Sequence, residues 1–349
     1  MSTSSGLTAF KRKFKGFMCR NEALVLTYHS ILPPGTDLFP IPHHLAGEVF
    51  GAQMQYLKDE GFNCVSLRKL NQYIETRSLP SRTVAITFDD GFYNNYSVAF
   101  PILKKFQIPA TIFIAAGFLG GKKLAWPERL ALILRLSHQP ALQLADLRLT
   151  LGSPEKNKAA YTAVARHFSG VTPEGIESAL VDLMAQAQLS QEDLYGSELY
   201  QALRFMTWDD VRVMAESGLI DFGSHTINHR RLIFLDDRQA AEEIAHSRQL
   251  ISDHVGDCVA FAYPHGRRDK DFTESHAAMA RDAGYRIVVT ADAGVVTADS
   301  NALDLKRFNI LDDSDIDTFD FMMRGGLVFN HLNGRPSIMR GVISGRIST

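Results

Sequence analysis

Short apolar runs alternate with longer amphipathic stretches along most of the chain. The runs "ALVLTY" (23–28), "TVAITF" (83–88), "ATIFIAA" (110–116), "GLIDFG" (218–223), "CVAFAY" (258–263) and "YRIVVT" (285–290), with a weaker "CVSL" (64–67), are four to seven residues long. Their length and near-continuous hydrophobicity predict strands buried on both faces. Helical spacing lies between them. Phe50, Met54 and Leu57 precede Gly61, while Val98, Ile102 and Leu103 follow a polar "YNNY" start. "TWDDVRVMAESG" opens on Thr207 as an N-cap with Asp210 three residues on, and closes at Gly218. Strands alternating with helices predict an α/β domain built on a parallel sheet, closed or open.

Between about 121 and 205 the pattern changes. "PERLALILRLSH", "KNKAAYTAVARHF" and "EGIESALVDLMAQAQ" are helical, and little between them looks like a buried strand. This stretch reads as a helical insertion within one domain of residues 22–320. A basic extension (1–21) precedes that domain and a basic tail (321–349) follows it.

The polar residues that stand out follow the strands. Tyr28-His29-Ser30 ends the first run and Asp89-Asp90-Gly91 ends "TVAITF". Ser224-His225 follows "GLIDFG", and Tyr263-Pro264-His265-Gly266 closes "CVAFAY". Strand C-termini of parallel α/β folds face one way and carry the site, so these clusters converge on one rim. Asp89 and Asp90 repel each other unless a positive group lies close or one carboxyl stays neutral. "SHTINH" sets His225 and His229 four apart, which on a helical turn brings both imidazoles to one face. Two histidines and a carboxylate with open positions form a recurrent catalytic metal site. Such an ion also offsets the repulsion in the Asp pair, drawing in one carboxylate and leaving the other as a base. Singly, an H-x-x-x-H is common and an Asp pair also caps helices. Their coincidence at strand ends favours the metal. An aspartyl phosphotransferase is the weaker alternative, because it leaves the two histidines without a role.

Composition narrows the partners. The 349 residues are 45% hydrophobic and 22% charged, a globular balance whose size suits one α/β barrel with insertions. No run approaches ~18 consecutive apolar residues, so no membrane span is expected. The net charge of −2 hides a polarity: residues 1–21 and 321–349 hold basic side chains and no acid, which leaves the body acidic. An acidic body argues against nucleic acid as a partner. The basic ends read as frayed extensions, with weak contact to an anionic membrane surface as their alternative. Phe10, Phe14, Phe17 and Met18 share one helical face, which suits either a membrane surface or the domain itself. No apolar core follows "KRKFKGFM", so no secretory signal is read, and the expected location is cytoplasmic and peripheral to the membrane. Cys19, Cys64 and Cys258 are too few and scattered for a disulfide framework.

At its strand-end motifs the chain resembles the polysaccharide deacetylases, the NodB-homology or carbohydrate esterase 4 family. "TFDDG" resembles the first family motif, "HTINH" the second, H-[ST]-x-x-H, and "FAYPHG" the third in its F-A-Y-P-x-G form. "LTYHSI", "PILKKFQIPATIFI", "MTWDDVRVMAESGLIDFGSHT" and "RDAGYRIVVT" agree, so the resemblance covers roughly 22–120 and 204–310. It implies a distorted (β/α) barrel of about seven strands. It also implies one divalent ion held by Asp90, His225 and His229, zinc first, with cobalt or nickel as alternatives. Asp89 is then the catalytic base acting on metal-bound water. The third motif aims a backbone N–H, that of Tyr263, at the oxyanion, with Pro264 in the same substrate-binding turn.

Two departures from the family matter. Many members carry an arginine that orients the base where this chain has Ala262, and Arg307 in "LKRFNI" is the candidate substitute. A late Leu-x-His motif supplying the general acid is missing after residue 290, where His331 follows Asn330. Circularly permuted members take the acid from an N-terminal Tyr-His, here Tyr28-His29, which makes His29 the expected acid. The plainer alternative is a hydrogen-bonded histidine at a strand end.

The implied reaction is hydrolysis of an N-acetyl amide on an amino sugar of a glycan or glycolipid. Such an amide has a weakly electrophilic carbonyl and a poor leaving group. A metal addresses the first problem, a carboxylate base adds ~10²–10⁴, and a histidine protonates the departing nitrogen. Tyr263, Trp126 and Trp208 are candidate apolar walls, and His43, His44 and His265 candidate groove residues. Rival functions are hydrolysis of a cyclic imide or ureide, carbohydrate binding without turnover, and an interaction module built on the insertion.

Overall fold

The computed structural model describes residues 21–36, 42–121, 123–311 and 314–326. The helical face of Phe10, Phe14, Phe17 and Met18, the basic tail and His331 lie outside the described residues. β1 (Glu22–Tyr28) leads into the short pair β2 (Ser30–Leu32) and β3 (His44–Ala46). Helix α1 (Gly47–Asp59), β4 (Asn63–Val65), α2 (Leu67–Glu75), β5 (Thr83–Phe88), α3 (Phe100–Phe106) and β6 (Ala110–Ile114) continue the alternation.

The insertion follows, with helices α4 (Trp126–Leu136), α5 (Pro154–Phe168), α6 (Pro173–Gln186), α7 (Gln191–Gly196) and α8 (Glu198–Leu203). It is not wholly helical, contrary to expectation. β7 (Ala141–Leu144) and β8 (Leu147–Thr150) form an antiparallel hairpin. Leu142, Leu144 and Leu149 are buried while Gln143, Arg148 and Thr150 are exposed, a period of two that the helical reading passed over. Leu130, Leu134, Leu149, Val164 and Leu183 gather into a core of the insertion's own. Asn94 Nδ2 donates to the Ala202 carbonyl at 2.8 Å and ties the insertion back to the barrel.

The chain then returns through α9 (Trp208–Glu216), β9 (Ile220–Ser224), α10 (Asp237–Val255), β10 (Ala260–Ala262), α11 (Glu274–Asp282), β11 (Ile287–Val289), β12 (Val296–Thr297), β13 (Phe308–Asn309) and α12 (Ile316–Phe321). Thr207 and Asp210 cap α9 reciprocally, as their spacing predicts. The central sheet runs β11-β10-β9-β6-β5-β1-β12, with β4 along the start of β5 and β13 along the end of β1. Its pairs are parallel except β1 with β12. Leu305 bridges to Val289 in β11, and Phe308–Asn309 pair with Leu26–Thr27 in β1. The segment 305–309 therefore stitches the last strand to the first, and the sheet curls into a distorted barrel.

Alternation along each strand sorts the side chains. Ala23, Val25, Ala85, Ala260, Ala262, Phe113 and Val289 form one buried cluster, mostly small residues that suit the narrow inside of a curled sheet. Leu24, Leu26, Ile86 and Phe88 belong to the larger cluster with Phe50, Met54 and Leu57 of α1. Gly223 makes room for the interior Phe113, whose ring a Cβ would approach to 2.5 Å. No helix among the described residues is long and apolar enough to cross a membrane.

Candidate active site

The period of β5 aims Asp89 at the barrel interior, in line with Ala85 and Thr87. There it meets Arg307, buried like itself. Nη1 donates to Asp89 Oδ1 at 2.7 Å and Nη2 to Oδ2 at 2.8 Å, a bidentate pair. Arg307 is fixed further by Nε donating to the Thr290 carbonyl at 2.9 Å, and its guanidinium lies over the Phe113 ring at 5.6 Å. Burial alone would raise the Asp89 carboxyl. The Arg307 charge, with His225 and the Arg307 hydrogen bonds, outweighs it and holds the group well below the usual carboxylate range.

The same alternation would turn Asp90 away from the mouth. Instead its φ is 76°, a left-handed conformation that costs an L-residue energy and often marks functional sites. Gly91 follows at φ 87°, where a Cβ would sit 2.7 Å from Ile114 Cγ2. The turn brings Asp90 Oδ1 to 3.6 Å from His225 Nε2 and 3.3 Å from His229 Nε2. Burial and the neighbouring Asp89 charge push the Asp90 carboxyl well above its usual range.

The two histidines do not share a helical turn. Residues 225–229 form an irregular bend with Thr226 at φ 64° and His229 at φ 52°. Thr226 Oγ1 accepts the His229 N–H at 3.1 Å. Glu243, buried on α10, accepts from the Ile227 N–H at 2.8 Å, the Asn228 N–H at 3.0 Å and Asn228 Nδ2 at 2.8 Å. Glu243 thus anchors the bend from one side, while the Ala116 and Gly117 N–H groups donate to the Thr226 and Ile227 carbonyls at 3.1 and 2.8 Å from the other. His225 Nδ1 lies 2.7 Å from the Ala262 carbonyl, an oxygen that only accepts, so Nδ1 carries the proton. Burial lowers the His225 pKa, which keeps the imidazole neutral with its Nε2 lone pair facing Asp90.

Ligand atoms of Asp90, His225 and His229 all lie within 4.8 Å of one another. Asp90 Oδ1 is buried and accepts no hydrogen bond. One carboxylate oxygen and two imidazole nitrogens around an unsatisfied centre fit a divalent ion such as zinc.

The remaining candidates divide. His29 is half-buried, its ring centroid 4.4 Å from that of His43, and its Nδ1 has no hydrogen-bond partner. Burial, then His43, lowers its pKa well below the usual value. His44 turns the other way, with Nε2 3.4 Å from Glu128 Oε1, a buried pair that pins the insertion to β3. Tyr263 is buried with its ring stacked on Phe272 at 3.7 Å, so the ring is core packing and offers no wall to the mouth. Pro264 makes the turn after β10, its carbonyl accepting the Gly266 N–H at 2.7 Å. His265 is exposed, with its ring 5.1 Å from that of His229. Trp208 stacks on His254 at 4.0 Å on the helical layer. Trp126 faces a cavity beside His229.

Glu243 and Glu128 escaped the sequence analysis. For Glu243 a signal existed: it shares the apolar face of Ala240, Ile244 and Ile251, where an acid needs a partner.

Residues 76–139 and 177–288 match the family described as polysaccharide deacetylase. The Bacillus subtilis protein YxkH is 23% identical over 288 residues, covering 82% of this chain and 70% of that one. A poly-β-1,6-N-acetyl-D-glucosamine N-deacetylase of Staphylococcus epidermidis is 32% identical over 111 residues, 29% of this chain and 38% of its own length. Among solved structures, IcaB from Ammonifex degensii superposes with a TM-score of 0.57 at 22% identity, covering 87% of this chain and 97% of that one. The Streptococcus pyogenes deacetylase PplD, in complex with acetate, gives 0.55 at 19%, covering 87% and 99%. At these identities the superpositions establish the shared fold.

Proposed function

The chain belongs to the polysaccharide deacetylase family, and on that footing we propose that it is a metal-dependent hydrolase removing acetyl groups from N-acetylated amino sugars of a glycan. The observation that carries this reading is the meeting of Asp90, His225 and His229 beside an Asp89 that Arg307 holds ionised. The staphylococcal relatives are named for an N-acetylglucosamine polymer, which supports that class of substrate here. Those matches span only 38% and 40% of the relatives' lengths.

Asp90, His225 and His229 would hold the ion. Bound there, zinc or a similar cation supplies a Lewis acid for the acetyl carbonyl and lowers the pKa of water. Asp89 is the base. Both its oxygens accept from Arg307, yet each keeps a second lone pair, and Oδ2 lies 3.9 Å from His225 Nε2, on the metal side. Arg307 prevents the carboxylate from rotating and keeps it charged until it takes the proton of the attacking water. The Tyr263 N–H is the candidate donor to the oxyanion. His29, at the end of β1 with an Nδ1 that has no hydrogen-bond partner, is the candidate acid for the departing nitrogen.

The test is acetate release from N-acetylglucosamine oligomers by the metal-loaded protein, set against Asp89→Asn and His29→Gln. Equal release by wild type and Asp89→Asn removes the base assignment. Undiminished release by His29→Gln removes the acid.

A further inference from the structure

Between the insertion and the bend after β9 lies a cavity of about 180 Å³. Trp126, Phe168, Val171 and Ile176 line its insertion side, and His229 and His265 its barrel side. We propose that this cavity is a subsite for one uncharged sugar ring, the unit glycosidically joined to the one whose acetamide lies at Asp90, His225 and His229. The identity of the occupant rests on the deacetylase reading above.

Position, chemistry and size converge on that occupant. His229 is at once a candidate ligand and a wall of the cavity, so a ring held there sits next to the reacting unit. Trp126, half-buried and braced edge to face by the buried Phe168 with centroids 5.4 Å apart, offers aromatic surface to the C–H face of a pyranose. Charged groups at the cavity have opposite partners: Arg231 Nε is 3.3 Å from Asp271, Arg230 Nη2 is 3.8 Å from Glu174, and Arg129 Nη1 is 2.7 Å from Glu177. Paired charges call for a neutral guest with hydroxyls and not for an anion. The volume is enough for one ring.

Much of this wall lies outside the family match. The family match breaks off at residue 139 and resumes at 177. Ala165, Phe168, Val171 and Ile176 all come from the stretch between, so the insertion adds a recognition surface to the shared barrel.

Two measurements test the subsite. The protein has two tryptophans, so Trp208→Phe leaves Trp126 as the sole reporter. Titration with the β-1,6-linked N-acetylglucosamine tetramer should shift Trp126 emission saturably, with the monosaccharide needing at least about tenfold higher concentration. Ala165→Phe, which fills the cavity, should lower the tetramer-to-monosaccharide ratio of kcat/KM by about tenfold. A silent Trp126, or a ratio unmoved by Ala165→Phe in folded protein, overturns the subsite. Acetate release with a silent Trp126 overturns the subsite alone. A saturable Trp126 response without acetate release from any oligomer overturns the deacetylase reading, and with it the cavity's place beside a reacting unit, and leaves a sugar-binding cavity alone.

Discussion

Arg307 and Asp89, 218 positions apart in the chain, are joined by two parallel hydrogen bonds inside the barrel. Both are buried, so each depends on the other for its charge. Arg307→Ala strands a buried carboxylate and should cost about 3–5 kcal/mol, read as denaturant midpoint. Because the folded pKa of Asp89 is depressed, the stabilisation from this pair is complete above the unfolded value of about 3.9 and is lost as pH falls through the folded value. A wild type whose stability falls steadily from pH 7 to pH 4 through this pair would contradict that sign.

Asp89→Asn separates chemistry from metal binding. It should lower kcat for acetate release by about 10²–10⁴ while leaving metal affinity close to wild type. An equal loss of both would make Asp89 a ligand and not the base.

Removal of metal by a chelator should abolish acetate release, and added zinc should restore it. Metal at a hundredfold excess over Kd should raise the unfolding free energy by about 2.7 kcal/mol. Asp90→Ala and His225→Ala should lose that increment in thermal unfolding. If either variant keeps it, the ion sits elsewhere.

Glu243 holds the bend that carries His229 but touches no ligand atom of the set. Glu243→Ala should weaken metal binding about 10–100-fold by calorimetry, the loss expected for an outer partner of a metal site. Glu243→Gln keeps one acceptor oxygen and should recover part of that loss.

Burial raises the thiol of Cys64 to about 11 and that of Cys258 to about 12. At pH 8 their thiolate fractions are then about one in a thousand or less, and alkylation should be negligible in folded protein and fast after unfolding. The sign for stability is opposite to that of Asp89. These thiols contribute fully below the unfolded value of about 8.5, and the contribution is lost as pH rises toward the folded values. Mass spectrometry after brief iodoacetamide treatment at pH 8 and pH 10.5 checks the order, with Cys64 reacting first.

Local pattern carried much of this protein. The strand runs, the cap at Thr207 and Asp210, and the placing of Asp89, Asp90, His225 and His29 at strand ends all follow from periods of two and 3.6 and from the direction of parallel strands. These are properties of a few neighbouring residues, which is why they are legible in one dimension. The hairpin at 141–150 was equally legible in "ALQLADLRLT", yet its alternation lay unweighed among helices.

What only the tertiary structure decided depends on closure. Arg307 faces Asp89 because the segment 305–309 bridges the last strand to the first, a register that no local period encodes. The bend at 225–229 is set by left-handed residues and a carboxylate on a following helix, so the two histidines meet as their four-residue spacing suggested but not on a helical turn. The cavity beside His229 exists only where the insertion lies against the barrel. Sequence determines which groups are available and which way each strand presents them; packing decides which charges meet, because in a water-excluded interior an ion persists only beside the partner that the fold brings to it.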